Sequence, residues 1–231
     1  VDGNITITDG DLDPNTNNAN ITVAGNWTMG TNGSLDEGTE TVTFDGAADQ
    51  TITSDGEAFY TVVLNNTGAS GSDDIILADA LNVDGNITIT DGDLDPNTNN
   101  VNITVAGNWT MGASGSLDAG AGSETVIFDG AAQSISGTTT FNNLTKSETT
   151  NNGADVAFTI GAGTVQTVTG TLSLSGLDGN DRIALASSSS GSFFTFDVTA
   201  GAQSVSYLTV QDSHASSNDI LATFSVNISG T

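Results

Sequence analysis

The sequence predicts an all-β protein, a parallel β-solenoid of roughly ten coils, and three observations carry that prediction. Residues 1–30, VDGNITITDGDLDPNTNNANITVAGNWTMG, return at 83–112 with one change, Ala19 to Val101, so the chain has an 82-residue superperiod. Apolar residues alternate with Thr, Ser and Asn in short bursts such as Ile5-Thr6-Ile7-Thr8, the period-two pattern of half-buried strands. Those bursts are separated by Gly, Asn and Asp turns at intervals near the length of one solenoid turn.

Taken in chain order, bursts begin at Ile5, Ile21, Val42, Val62 and again at Ile87, steps of 16, 21, 20 and 25 residues that sum to 82. Each step reads as one coil. Alternation assigns Ile5, Ile7, Leu12, Ile21, Val23, Trp27, Val42, Phe44, Ile52, Val62 and Leu64 to the core of the first superperiod. Ile87, Ile89, Leu94, Ile103, Val105, Trp109, Val126, Phe128 and Ile135 repeat them in the second. The echo runs on through Glu40–Ala48 against Glu124–Ala132 and decays beyond Phe59 and Phe141. The chain therefore divides into a first repeat at 1–82, a second at 83–170 and divergent C-terminal coils of the same solenoid at 171–231. Stacked at about 4.8 Å, the coils make a rod on the order of 50 Å long. A β-sandwich also has short strands, but it would show two-residue hairpin turns and has no reason to echo itself.

Composition narrows the function. With 2 Lys+Arg against 28 Asp+Glu the net charge is -26. No basic patch is available to displace counterions from nucleic acid or to hold anionic lipid. The chain has no cysteine, hence no disulfide framework and no thiolate site. No apolar run approaches the roughly 18 residues of a membrane span. High charge with 36% hydrophobic residues raises the question of disorder, which the strict clustering of the apolar residues answers. Residue 1 opens directly on the repeat, without the basic start and apolar stretch of a signal peptide.

The sharpest chemical constellation is Asp9-x-Asp11-x-Asp13-x-Asn15, repeated as Asp91, Asp93, Asp95 and Asn97. Alternate residues of an extended segment share a face, which would gather three carboxylates and an amide oxygen around a hard cation such as Ca²⁺. The competing reading is an acidic strand edge that runs into a turn at Asp13-Pro14-Asn15. Asp178-Gly179-Asn180-Asp181 is a weaker candidate of the same kind and reads better as a turn. Catalytic residues are not expected. Lys146 and Arg182 are the only Lys and Arg side chains and lie in different segments, so no cationic clamp for a uronate forms. Asp73-Asp74 has the look of a hydrolase dyad, but a body at -26 repels an anionic substrate. His214 stands alone among Ser and Asp. Asn-x-Thr/Ser occurs at Asn4, Asn20, Asn26, Asn32, Asn65, Asn86, Asn102, Asn108, Asn143 and Asn227; these are glycan acceptors or outward residues of stacked Asn ladders. Thr-x-Thr at Thr6, Thr51 and Thr88 raises ice binding, against which the irregular spacing and the acidic neighbours count.

The order Gly25-Asn26-Trp27-Thr28, Thr41-Val42-Thr43-Phe44-Asp45-Gly46, Gln50-Thr51-Ile52 and Phe59 resembles tandem-repeat parallel β-helix proteins, adhesin-like or filamentous, secreted to the surface of bacteria and archaea. The second copy carries the same words at Gly107-Asn108-Trp109-Thr110, Thr125–Phe128 and Phe141-Asn142-Asn143-Leu144-Thr145. Tyr207–Ala215 looks like the closing segment that follows such repeats. The resemblance implies a right-handed parallel β-helix and an extracellular, cell-surface location. It implies no catalytic activity, and no cofactor is required beyond the calcium that the acidic runs suggest. The expected function is a structural filament subunit that self-associates through its two ends, because the first residues are those of an interior coil and Ile220–Ile228 is a further strand. A stalk segment of an adhesin is the alternative, with a carbohydrate- or ice-binding module behind it.

Overall fold

The structure is a computed structural model that describes residues 1–120 and 122–228. Every strand pair is parallel, and residues stack on their equivalents one coil away. Ile21–Val23 pairs with Thr41–Phe44, which pairs with Thr61–Asn65, which pairs with the start of Ile87–Asp95. The ladder continues through Trp109–Leu117, Gln133–Ser136, Val156–Ile160, Ile183–Ser187, Leu208–Gln211 and Val226–Asn227. That unbroken ladder of ten strands is one face of the solenoid, and it fixes the described residues as ten coils.

Two further faces complete each coil. One carries 5–7, 27–29, Gln50–Thr53, Asp74–Leu77 and 93–95, and later Thr139–Phe141, Val165–Val168, Phe194–Val198 and Ser213–Ala215. The other carries Ala58–Phe59, Leu81–Val83, Ile103–Val105, Thr125–Phe128, Asn143–Ser147, Thr171–Ser175, Ala202–Ser206 and Ala222–Thr223. Four long strands serve two faces each by bending over a corner. In Ile5–Leu12 and Ile87–Asp95 the register slips after Ile7 and Ile89, and the bend passes through Gly10 and Gly92 at φ of 88° and 89°, a region that glycine enters without strain.

The register corrects one expectation. The steps from Ile21 to Val42, Val62 and Ile87 are each one coil, since those residues are direct partners. Ile5, however, pairs with Trp27 on another face, so the 16-residue step crosses a coil and does not complete it. The 82-residue repeat therefore spans eleven faces, one short of four coils. Alternation marks strands and turns mark corners, but closure of a coil is set by hydrogen-bond register with its neighbour, which no local pattern encodes.

The core is as the alternation assigned it, with Val23, Trp27, Phe44, Val62, Leu64, Ile87, Trp109 and Phe128 fully buried. Ile5, Ile7, Leu12 and Ile21 are half-buried because no coil covers them. Trp27 packs edge-on against Phe44 and Phe59 with centroids at 6.4 and 5.2 Å; Trp109 meets Phe128 and Phe141 at 6.4 and 5.7 Å. Corners are joined by asparagine. Asn4 Oδ1 accepts the Asn26 N–H at 2.9 Å and Asn26 Oδ1 accepts that of Thr51 at 2.9 Å. Asn20, Asn86, Asn102, Asn108 and Asn143 do the same for Thr41, Asn108, Thr125, Ser134 and Thr171. Backbone donors that the turn leaves unpaired are thus satisfied across coils.

Candidate functional site

The acidic runs do not gather into the calcium sites that their alternation suggests. Asp9 lies before the bend at Gly10 and Asp11 after it, opposite Asn32 and Ser34. The Ser34 hydroxyl donates to Asp11. Asp13 turns into the following loop, where Thr16 donates its hydroxyl and, at 2.9 Å, its N–H. These bonds hold the Asp13 carboxyl below its usual range. Asn15 reaches Asp36 at 3.5 Å. In the second copy Ser116 donates to Asp93, Thr98 N–H to Asp95 at 2.8 Å, and Gly92 N–H to Asp91 at 3.1 Å. The physical reason is the bend at Gly10 and Gly92, whose positive φ breaks the period-two geometry between the first and later carboxylates, and the turn chemistry of Asp13 and Asp95.

Stacking assembles other groups. Asp93 pairs with Asp74, and with Asp73 these are the carboxylates that converge within 4.8 Å among the described residues. Burial and then the neighbouring Asp49, Asp93, Asp95 and Asp73 push the Asp74 carboxyl up. Asp73 and Asp74 therefore stand with a third carboxylate, Asp93, from the next coil.

A second constellation was not singled out from the sequence. Glu40 and Glu124 precede equivalent strands and are 2% and 3% exposed. Among the described residues both oxygens of Glu124, and Oε1 of Glu40, have no hydrogen-bond partner. Burial is the main cause that raises the Glu124 carboxyl, opposed by its own N–H and the Asn142 amide; Asp118 and Asp95 raise it further. The Asn142 amide also donates to Gly122 O at 2.7 Å. The point that a Cβ would occupy on Gly122 touches Glu124 Oε2 and lies 2.8 Å from Asn100 Oδ1 and 3.2 Å from Asn97 Oδ1. In the first copy Gly38 N–H donates to Glu40 Oε2 at 2.8 Å, and a Cβ on Gly38 would strike Asn15 Oδ1. The signal present in the sequence was the repetition of Glu ahead of Thr-Val, masked by a loop two residues longer in the second copy.

Both cations are engaged by backbone. Lys146 is fully buried, and its Nζ donates to Gly130 O at 2.8 Å, Ala131 O at 3.2 Å and Gln133 Oε1 at 2.7 Å, 5.6 Å from the Phe158 ring centroid. Burial lowers its pKa to about 8. Arg182 donates to Gly179 O at 3.1 Å and to Phe224 O at 2.5 Å, tying the last coils together. Asp178 and Asp181 form a turn: Asp178 Oδ1 accepts the Asn180 N–H at 2.7 Å, and Asp181 Oδ1 accepts those of Asn152, Gly153 and Ala154 at 3.0, 2.6 and 3.2 Å. His214 is exposed and stacks on Phe193 at 4.1 Å. Asn32 and Asn65 are sequon residues outside the corner ladder, and the Ser229 of the Asn227 sequon lies outside the described residues.

At the C-terminal end the core opens into a cavity of about 520 Å³ lined by Leu174, Leu185, Phe196, Val205, Leu208 and Ile220, among others. Beside it Leu221, Phe224 and Ile228 are 75%, 70% and 53% exposed. No helix is long and apolar enough to cross a membrane among the described residues. Comparison of the chain with family models, with curated proteins and with solved structures gave no match.

Proposed function

We propose that this protein is a non-enzymatic structural element of the extracellular cell surface, the subunit of a filament that grows by end-to-end stacking of solenoids. The observation that supports this reading is a contrast between copies. Ile5, Ile7, Leu12 and Ile21 are half-buried in the first coil, whereas Ile87, Ile89, Leu94 and Ile103, their counterparts, are at most 1% exposed once another coil lies on them. The opposite end offers the apolar cavity under Ile220 and exposed Leu221 and Phe224. A parallel strand edge and open core at each end are complementary, and a head-to-tail contact that does not close on itself gives a linear assembly. The charge of -26 keeps the sides of neighbouring rods apart, so growth is along the axis and bundling increases with salt. Any glycan would attach with least disturbance at Asn32 or Asn65, outside the corner ladder.

Electron microscopy of the purified chain, with light scattering over a range of concentrations, tests the reading. Unbranched rods one solenoid wide, lengthening with concentration, are the expected result. A monodisperse monomer at high concentration would overturn the filament in favour of a stalk segment whose neighbouring coils belong to the same chain.

A further inference from the structure

We infer that the corner beneath Glu124 is a calcium site, built from Glu124, Asn97 and Asn100. Three facts converge there. Glu124 is a carboxylate 3% exposed whose two oxygens make no hydrogen bond of good geometry among the described residues, an arrangement that disfavours the ionised group unless a cation compensates it. Its Oε2 and the amide oxygens of Asn97 and Asn100 all surround the Cβ point of Gly122, with the two amide oxygens at 3.2 and 2.8 Å. All are hard oxygen donors, the set that Ca²⁺ takes at about 2.3–2.6 Å, six to eight at a time.

The local fold explains why those oxygens face one another. Asn100 sits in the left-handed region at φ 54° and closes the turn after Asp95. Its Oδ1 accepts the Ser123 N–H at 2.6 Å and the Ser123 hydroxyl at 3.3 Å, which hold the oxygen in place; calcium would displace the weaker hydroxyl contact. Asn97 belongs to the same turn, and Glu124 comes from the coil above. Gly120 and Gly122 are exposed, so the corner lies at the surface of the rod. Water and main-chain carbonyls would supply the remaining ligands. Asp118 and Asp95, the neighbouring carboxylates that act on Glu124, add attraction for a cation and none for an anion.

The first copy is a partial version. Glu40, Asn15 and Asn18 occupy the equivalent positions, but Gly38 N–H already donates to Glu40 Oε2 at 2.8 Å. That copy binds calcium more weakly. Asn97 was part of the acidic run that suggested calcium from the sequence; its partners come from the coil above and not from its own strand.

Calorimetric titration of the full chain with calcium chloride at constant ionic strength tests the assignment, alongside melting curves with calcium, magnesium or sodium. Wild-type protein should bind one calcium tightly and melt higher with calcium than with either other ion. Glu124→Gln and Gly122→Ala, the second placing a methyl against the three ligand oxygens, should each weaken that binding at least about tenfold, the scale of losing a ligand-supporting group. Glu124→Gln should also melt higher than wild type in chelator, because it removes the unpaired charge, and should lose the calcium-dependent rise. That gain shows the variant folds. Glu40→Gln should leave the tight site intact. Undiminished calcium binding in both Glu124→Gln and Gly122→Ala, an equal rise with sodium, or loss of binding in Asp93→Asn with Glu124→Gln unaffected would each overturn the assignment.

Discussion

Replacing Lys146 by Leu and Glu148 by Asn together should stabilise the protein at neutral pH and abolish a rise in stability that wild type shows on going to alkaline pH. Positions 146 and 148 are the counterparts of Leu64 and Asn66. In the first copy Asn66 donates to Ala48 O at 2.7 Å and approaches Gln50 Oε1 at 3.5 Å, while Gly46 N–H serves that same oxygen at 2.9 Å. In the second, the Lys146 ammonium serves Gly130 O, Ala131 O and Gln133 Oε1. Two chemistries thus solve one problem, and the lysine solution buries a charge. Its pKa falls from 10.5 to about 8, and at about 1.4 kcal/mol per unit the protonated side chain costs the fold on the order of 3 kcal/mol. The unfolded chain holds the proton more tightly, so the penalty is whole below pH 8, shrinks as pH rises from about 8 to 10.5, and is gone above. Lys146→Leu alone removes the charge but strands the acceptors, at roughly 1–3 kcal/mol each, and should be no more stable than wild type. Adding Glu148→Asn should recover about 2 kcal/mol, a coupling typical of residues in one network. Urea unfolding followed by fluorescence of Trp27 and Trp109, between neutral and strongly alkaline pH, measures both effects. Strict additivity of the two substitutions, or an alkaline slope that persists in the double variant, would refute the reasoning.

Asn26→Ala should cost about 1 kcal/mol in urea unfolding, because the Thr51 N–H loses its acceptor, whereas Asn32→Ala, outside the corner ladder, should cost less than about 0.5. Asp74→Asn should raise the melting temperature at neutral pH at low ionic strength, since the carboxyl is pushed up by burial and like charges; the gain, below about 1 kcal/mol for a partly exposed group, should fade in high salt. Trp109→Asp should lose the cooperative transition, as an unpaired charge in the aromatic core costs several kcal/mol.

The strands and core were legible because both obey period two. Trp27, Val42, Phe44, Ile52 and Val62 could be placed inward from alternation alone, and all are buried. What the sequence concealed depends on neighbours one coil away. The step from Ile5 to Ile21 looked like its successors, yet only pairing with Trp27 reveals the face on which Ile5 lies. The same limit applies to sites. Asp9, Asp11 and Asp13 are close in sequence and are parted by the bend at Gly10 and a turn, whereas Glu124 and Asn97, 27 positions apart, both come to the same side of Gly122 because coils stack.

A repeat that advances eleven faces per copy puts each residue on a different side of the rod from its twin in the next copy. Trp27 lies on one side and Trp109 on another, and the corners that hold Glu40 and Glu124 point in different directions. A chain that continued this repeat would visit all three sides before any azimuth recurred. Its features would follow a screw path, not a line, so no seam of identical weak corners would run the length of the shaft. Bending loads would then meet the same average resistance whichever way they came, and whatever the repeat displays on its surface would be presented to every side in turn.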